Sequence, residues 1–277
     1  GDFTLTIQCE NFQIDANGNI FSSDIELNDF HSSENCVTCH EEHVNEWNRS
    51  MHAYSMKDPV FFSGWKKEQK IHPSTGERFC VQCHSPVAYV TGTTLNQYTI
   101  ETDLQNDLEL NASIKEGVTC TVCHSYTGIS KAVETGENSA AVAEYHLNPG
   151  EGILYGPIEA PRNNAYHLSE YNPIFKFSEM CLPCHEMTVR GVKAEMTFSE
   201  WNNFPQFSMA GLMPCQKCHM PIKENGHHSH EFVGVDIDLN HQVKTSYTSN
   251  GLDNVMFYSL MIVLYHQMFR TLYLNHH

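Results

Sequence analysis

Apolar residues recur along this chain in short, separated runs, and few of them run far enough to lay out a conventional core. The clearest helical period lies at residues 41–57, where Val44, Trp47, Met51 and Tyr54 recur at intervals of three and four and Pro59 follows as a stop. Before it, Phe12-Gln13-Ile14 and Ile20-Phe21 flank Asn17-Gly18, a dipeptide suited to a tight hairpin turn, so residues 1–30 are expected to form a small β extension. Phe232-Val233-Gly234-Val235-Asp236-Ile237-Asp238-Leu239 alternates and predicts a strand. Residues 86–97 read as irregular or extended, and residues 128–165, with Gly, Pro, Asn and Ser throughout, as a long wrapping loop. Glu200-Trp201-Asn202 repeats Glu46-Trp47-Asn48, a short echo that hints at a duplicated unit. Residues 255–265 are almost wholly apolar before His266, Gln267 and Arg270 interrupt them. A bilayer needs about 20 such residues, so a buried or partner-facing helix is expected there and a membrane contact is not.

Composition narrows the classes. In 277 residues, 16 Lys and Arg stand against 33 Asp and Glu, a formal charge of −17, which argues against nucleic acid or an anionic membrane as the main partner. The mean hydropathy of −0.40 fits a water-soluble chain with a lean core. The 11 Cys and 18 His change the picture more, because a disulfide-stapled secreted domain would show the first and not the second.

Ten of the 11 cysteines fall in five pairs, each followed directly by His: Cys36, Cys39 and His40; Cys80, Cys83 and His84; Cys120, Cys123 and His124; Cys181, Cys184 and His185; Cys215, Cys218 and His219. Cys-x-x-Cys-His is the attachment signature of c-type haem: two thiols add to the two vinyl groups of one porphyrin, and the next residue offers its imidazole to the iron. Zinc ribbons need two Cys pairs per metal and no fixed His after each, and five pairs is an odd number for that scheme. A thioredoxin-type dithiol occurs once, at the start of a helix after a strand. Five haems c are therefore expected.

Roughly 55 residues per haem is too few to build an ordinary core round each, so the porphyrins are expected to form much of the core. The expected fold is mainly α with long loops, a haem-packed multihaem cytochrome with little regular secondary structure and a small N-terminal β hairpin. It divides into residues 1–30, a haem domain over 31–235, and a C-terminal extension over 236–277 whose apolar helix contacts another subunit. Covalent haem attachment follows export, so the protein is expected outside the cell or at its surface, with the periplasm as the alternative. No signal peptide is visible at Gly1-Asp2-Phe3-Thr4-Leu5, so a processed chain is expected. Cys9 is left over, to be read as a buried free thiol or an intermolecular link.

Thirteen further His exceed the five second axial ligands that five irons can take, which favours bis-His over His–Met ligation and hence low potentials. His31, His43 and His146 belong to this pool. His43 and His52 are nine residues apart, on nearly opposite faces of the predicted helix. His167 precedes the fourth motif, and His227, His228 and His230 follow the fifth, with room for one or two ligands among the three.

The run from Cys36 through Glu46-Trp47-Asn48-Arg49-Ser50-Met51-His52-Ala53 resembles the opening of multihaem cytochromes related to the tetrahaem cytochrome that serves hydroxylamine oxidoreductase. Cys83-His84-Ser85-Pro86, Gly117-Val118-Thr119-Cys120, Tyr155-Gly156-Pro157, Phe177-Ser178-Glu179-Met180-Cys181 and Cys215-Gln216-Lys217-Cys218-His219-Met220-Pro221 carry the same resemblance, over about residues 31–235. It implies an electron carrier with haems in alternating stacked and perpendicular pairs. It also implies distal ligands at His52, His167 and His228 or His230, and a link to cytochromes that polymerise into extracellular filaments. The chain departs from that pattern in its fifth motif and its two extensions.

The expected function is an electron conduit and not an enzyme, with redox proteins or terminal acceptors as partners, and with homo-oligomers or a filament docked through the C-terminal helix. The alternative is an oxidoreductase acting on a small nitrogen or sulfur compound at one five-coordinate haem. A membrane-anchored subunit of a larger complex is a third and blander reading. A haemochrome assay with the intact mass of the denatured protein should give five covalent haems per chain, and four in Cys215→Ser/Cys218→Ser.

Overall fold

The structure, a computed structural model, describes residues 12–14, 20–22, 25–71, 76–131, 143–189, 192–204, 213–233, 235–237 and 243–245. The chain divides into two units, Gly1–Phe232 and Val233–His277.

The first unit is mainly helical up to the third motif and carries two-stranded ribbons thereafter. Strands β1 (Phe12–Ile14) and β2 (Ile20–Ser22) pair antiparallel, with Phe12 opposite Ser22 and Ile14 opposite Ile20. Helix α1 (Val37–Trp47) contains the first motif and kinks at His40, whose φ of −125° and ψ of 39° are not helical.

The single helix predicted over 41–57 is corrected: the chain breaks after Trp47. The N–H groups of Arg49 and Ser50 reach back only three residues, to the carbonyls of Glu46 and Trp47. Buried Ser50 then turns extended, and its hydroxyl accepts the Ala53 N–H to start α2 (Met51–Tyr54). A serine able to cap thus interrupts an otherwise continuous apolar period. His43 and His52 therefore sit on different helices.

Helix α3 (Pro59–Ile71) is the longest described, at 13 residues. It packs Phe62 and Trp65 into a core shared with α4 (Gly76–His84), α5 (Pro86–Val90), α6 (Glu101–Asn106) and α7 (Ala112–Lys115). Met56, Val81, Val87, Leu95, Leu104 and Ile114 have no measurable exposure there. Residues 86–90 are helical and not irregular. Pro86 stands at the helix start, where its missing N–H would have had no partner in any case. The chain thus owns an apolar core around the second motif. Among the described residues after Leu147 the buried apolar side chains are two prolines, Pro149 and Pro183.

Helix α8 (Cys120–His124) leads into β3 (Tyr126–Lys131), antiparallel to β4 (Ala143–Leu147), with Ile129 opposite Tyr145. Strand β5 (Ile153–Gly156) runs parallel to β6 (Leu168–Tyr171). The loop predicted over 128–165 is thus partly ribbon. These strands are too short and too interrupted by Gly for their alternation to stand out in sequence. Then follow α9 (Leu182–His185), β7 (Met187–Val189), β8 (Val192–Glu195), α10 (Thr197–Asn202) and α11 (Cys215–His219).

In the second unit β9 (Val235–Ile237) occupies the middle of the predicted strand and pairs antiparallel with β10 (Val243–Thr245). Cys9, His241, the apolar segment 255–265, His266, His276 and His277 lie outside the described residues. No described helix is long and apolar enough to cross a membrane.

Gly117 locks α2 to the third motif. Its φ is +81°, and an added Cβ would overlap Ser55 Oγ and lie 2.7 Å from the His52 carbonyl oxygen. Gly117→Ala should therefore cost at least about 1–2 kcal/mol from the backbone alone. Denaturant unfolding should show this loss beside Gly128→Ala, whose added Cβ meets nothing within 4 Å.

Candidate haem centres

Every Cys-x-x-Cys-His run folds as about one helical turn: at the start of α1, at the end of α4, and as α8, α9 and α11. A turn brings residues i, i+3 and i+4 to one face, so each motif presents two thiols and an imidazole together. Local caps hold these turns. The Thr119 hydroxyl, for example, accepts the Val122 N–H to begin α8.

Three motif imidazoles each face a second imidazole. The ring centres of His40 and His167 are 6.4 Å apart, those of His185 and His52 6.2 Å, and those of His124 and His230 6.3 Å. Two imidazoles sharing one metal ion, each nitrogen about 2.0 Å from it and each ring centre about 1.1 Å behind its nitrogen, would have their ring centres about 6.2 Å apart. The three spacings therefore suit one iron per pair.

The hydrogen bonds select the right nitrogen. Nδ1 of His124 lies 2.8 Å from the Tyr155 carbonyl oxygen, His167 Nδ1 3.0 Å from that of Leu168, His230 Nδ1 2.8 Å from that of His228, and His84 Nδ1 3.1 Å from that of Ser55. A carbonyl only accepts, so Nδ1 carries the proton and Nε2 keeps the lone pair a metal needs. Burial, and then neighbouring imidazoles, push His52 and His230 down to about 4. Burial also lowers His84, His124 and His185. At neutral pH these rings are uncharged, the form that ligates.

The β5–β6 ribbon serves two centres at once. It supplies the Tyr155 carbonyl to His124 and begins one residue after His167, whose N–H is held by the Asn164 side chain at 3.1 Å.

The other candidates are placed differently. His43 lies edge-on to His40 at 5.6 Å and closer to His227 and His230, at 3.9 and 4.8 Å. His228 bonds the Met220 carbonyl through Nδ1 at 3.0 Å. His31 and His146 are exposed. His84 stacks on Phe61 at 3.8 Å, and no second imidazole faces it among the described residues. His219 lies near enough to His52 and His185 to lower both. The ligand atoms of His43, His227 and His230 come within 4.8 Å of one another. Glu46 and the His228 carbonyl already occupy a nitrogen each on His227 and His230.

Glu46 is a hub that the sequence pattern showed only as part of an echo. It is buried on α1 and accepts from Lys223 Nζ, from His227 Nε2 at 2.7 Å and from the His230 N–H at 2.8 Å. Burial pushes its carboxyl up, but the three donors prevail and hold it near about 2. The anion thus ties α1 to the segment bearing His230. An acid between Val44 and Trp47, on the face that turns inward, was the available signal.

Thiols of different motifs also meet. Cys36 hydrogen-bonds Cys120, Cys181 hydrogen-bonds Cys215, and Cys184 hydrogen-bonds Cys83. Cys83 and Cys184 share the surroundings of Tyr126 and Tyr145, and Cys123 adjoins Tyr126; burial and then these sulfurs push the two hydroxyls up. The Tyr126 hydroxyl and Trp65 Nε1 are buried without a hydrogen-bond partner. Paired imidazoles, clustered thiols, unpaired buried donors and, among the described residues, the absence of a buried apolar cluster after Leu147 all fit haem as the filling group.

Glu46→Gln removes the charge from three donors at once. It should cost about 1.5–3 kcal/mol in guanidinium unfolding of the haem-loaded protein.

Residues 35–125, which span the first three motifs, match the family model described as cytochrome c554 and c-prime. A penta-haem cytochrome c552 from Thermochromatium tepidum is similar in structure, with a TM-score of 0.54 and 24% identity, over 76% of this chain and 58% of that one. The chain thus spans under two thirds of that protein's length. The fold is that of a multihaem cytochrome. No curated protein matches the chain.

Proposed function

We propose that this chain is a five-haem c-type electron carrier, with the ten motif cysteines as attachment points and His40, His84, His124, His185 and His219 as proximal ligands. Three imidazole pairs carry this reading, because a haem iron held by both members of a pair would have no position left for a substrate. Haem, once attached, supplies reversible one-electron exchange at iron. The chain's own part is to hold His84, His124, His167 and His230 by backbone carbonyls, to keep His52, His84, His124, His185 and His230 neutral by burial, and to set the motifs against one another. His167, His52 and His230 are the distal ligands of the first, fourth and third motifs.

Bis-His ligation gives low potentials, and an acidic chain favours basic redox partners. The proposal includes a site of action outside the cytoplasm. It also includes a haem-bearing region over 31–235 between two extensions, and kinship with the tetrahaem partner of hydroxylamine oxidoreductase and with filament-forming cytochromes. Docking through residues 236–277 would give a homo-oligomer or filament, visible as fibres by electron microscopy.

One observation favours a second reading at the second motif. His84 faces Phe61 and no described imidazole, so its iron is the candidate for binding and reducing a small nitrogen or sulfur compound.

Low-temperature EPR of the oxidised protein, quantified against haem, separates the readings. Five low-spin irons establish the carrier. A high-spin iron that responds to nitrite, hydroxylamine or sulfite establishes the second reading. His167→Ala should convert one low-spin iron to high-spin and leave the haem count unchanged.

A further inference from the structure

The short echo around Trp47 and Trp201 is a structural repeat. Trp47 Nε1 donates to the carbonyl oxygen of Val118 at 2.8 Å, and Trp201 Nε1 donates to that of Met213, also at 2.8 Å. Val118 and Met213 each stand two residues before the first cysteine of a motif, Cys120 and Cys215. The N–H groups of those two cysteines donate to Ser33 Oγ at 3.4 Å and to Ser178 Oγ at 2.9 Å. Ser33 and Ser178 are 2% and 1% exposed, and each stands three residues before the first cysteine of another motif, on a 3-10 turn. Both turns read Ser-Glu-x-Cys. The first cysteines so brought together, Cys36 with Cys120 and Cys181 with Cys215, are the hydrogen-bonded thiol pairs.

The same two side chains thus clamp the same two backbone groups twice. The second motif has no such clamp among the described residues. Its buried serine, Ser85, follows the motif and donates to the Ile114 carbonyl.

We propose that the chain contains two copies of a two-haem module, motifs one and three and motifs four and five, and that Ser33 with Trp47 and Ser178 with Trp201 are the positioning residues that set each haem pair at contact distance. This rests on the reading that the motifs carry haem. Cys123 of one module and Cys184 of the other both adjoin Tyr126, and Cys184 also hydrogen-bonds Cys83 of the second motif.

The test uses the haem-loaded protein. Ser33→Ala/Trp47→Phe and Ser178→Ala/Trp201→Phe are each compared with Ser85→Ala, an equally buried hydroxyl outside both clamps. The readouts are haem count, quantified EPR and a spectroscopic redox titration. The expected result is an unchanged haem count, with EPR signals and midpoint potentials altered for two of the five irons in each double variant. The two affected sets differ, and Ser85→Ala alters neither. Ser33→Thr and Ser178→Thr, which keep the hydroxyl, restore the parent spectra. Changes spread over all five irons, changes in the same two irons for both variants, or no change at all would overturn the module assignment. If a double variant does not accumulate, the single Trp→Phe changes, which remove one N–H and keep the ring, are read by the same criteria. A parent protein without five haems would instead defeat the functional reading beneath it.

Discussion

An imidazole that is to bind a metal inside a protein must be buried, neutral and left with one nitrogen that no protein group uses. Burial keeps the ring neutral, and a backbone carbonyl decides which nitrogen is left free. A carbonyl cannot donate, so it fixes the proton on Nδ1 and turns Nε2 outward. Much of the irregular chain after residue 147 follows from this need. The β5–β6 ribbon presents Tyr155 to His124 and orients His167, and the turn at 228–230 presents its own carbonyl to His230. Segments with no apolar core of their own are held in place by what they must hold.

Among the described residues the buried carboxylates are those of Glu46 and Glu186. An isolated buried carboxylate is costly, and Glu46 is tolerable because Lys223, His227 and the His230 backbone converge on it. Removing one partner would expose the others to the full desolvation cost, and so α1 and the His230 segment are coupled across more than 180 residues of chain. The buried apolar core around α3 to α7 provides a rigid base by ordinary packing. The second motif is seated there, and its imidazole is the one stacked on Phe61.

Much of this was legible in the residues. Five Cys-x-x-Cys-His runs mark the motifs without ambiguity, because the chemistry of attachment is local and imposes a fixed spacing. The pairing of 12–14 with 20–22, the strand at 235–237 and a helix beyond His40 follow from short-range pattern. The break at Ser50 and the helix at Pro86 did not, since capping chemistry and apolar period compete there and only packing decides between them. The ribbons inside 128–165 were hidden because each strand is too short to show its alternation.

The sequence by itself determined how many attachment motifs exist, where they lie, and that spare imidazoles exceed the positions open to them. Only the tertiary structure decided which imidazole meets which motif. His167 faces His40, His52 faces His185 and His230 faces His124 across more than 100 residues each. His43, only three residues from His40, does not take that place. The reason is geometric. A helix carries a neighbour in sequence along the same side as the motif, whereas the opposite side of a planar group has to be reached by a segment that returns from elsewhere in the chain. The repeat of Ser-Glu-x-Cys and Glu-Trp-Asn was likewise present in the letters, but their meaning as a clamp depended on hydrogen bonds between segments that no local pattern relates.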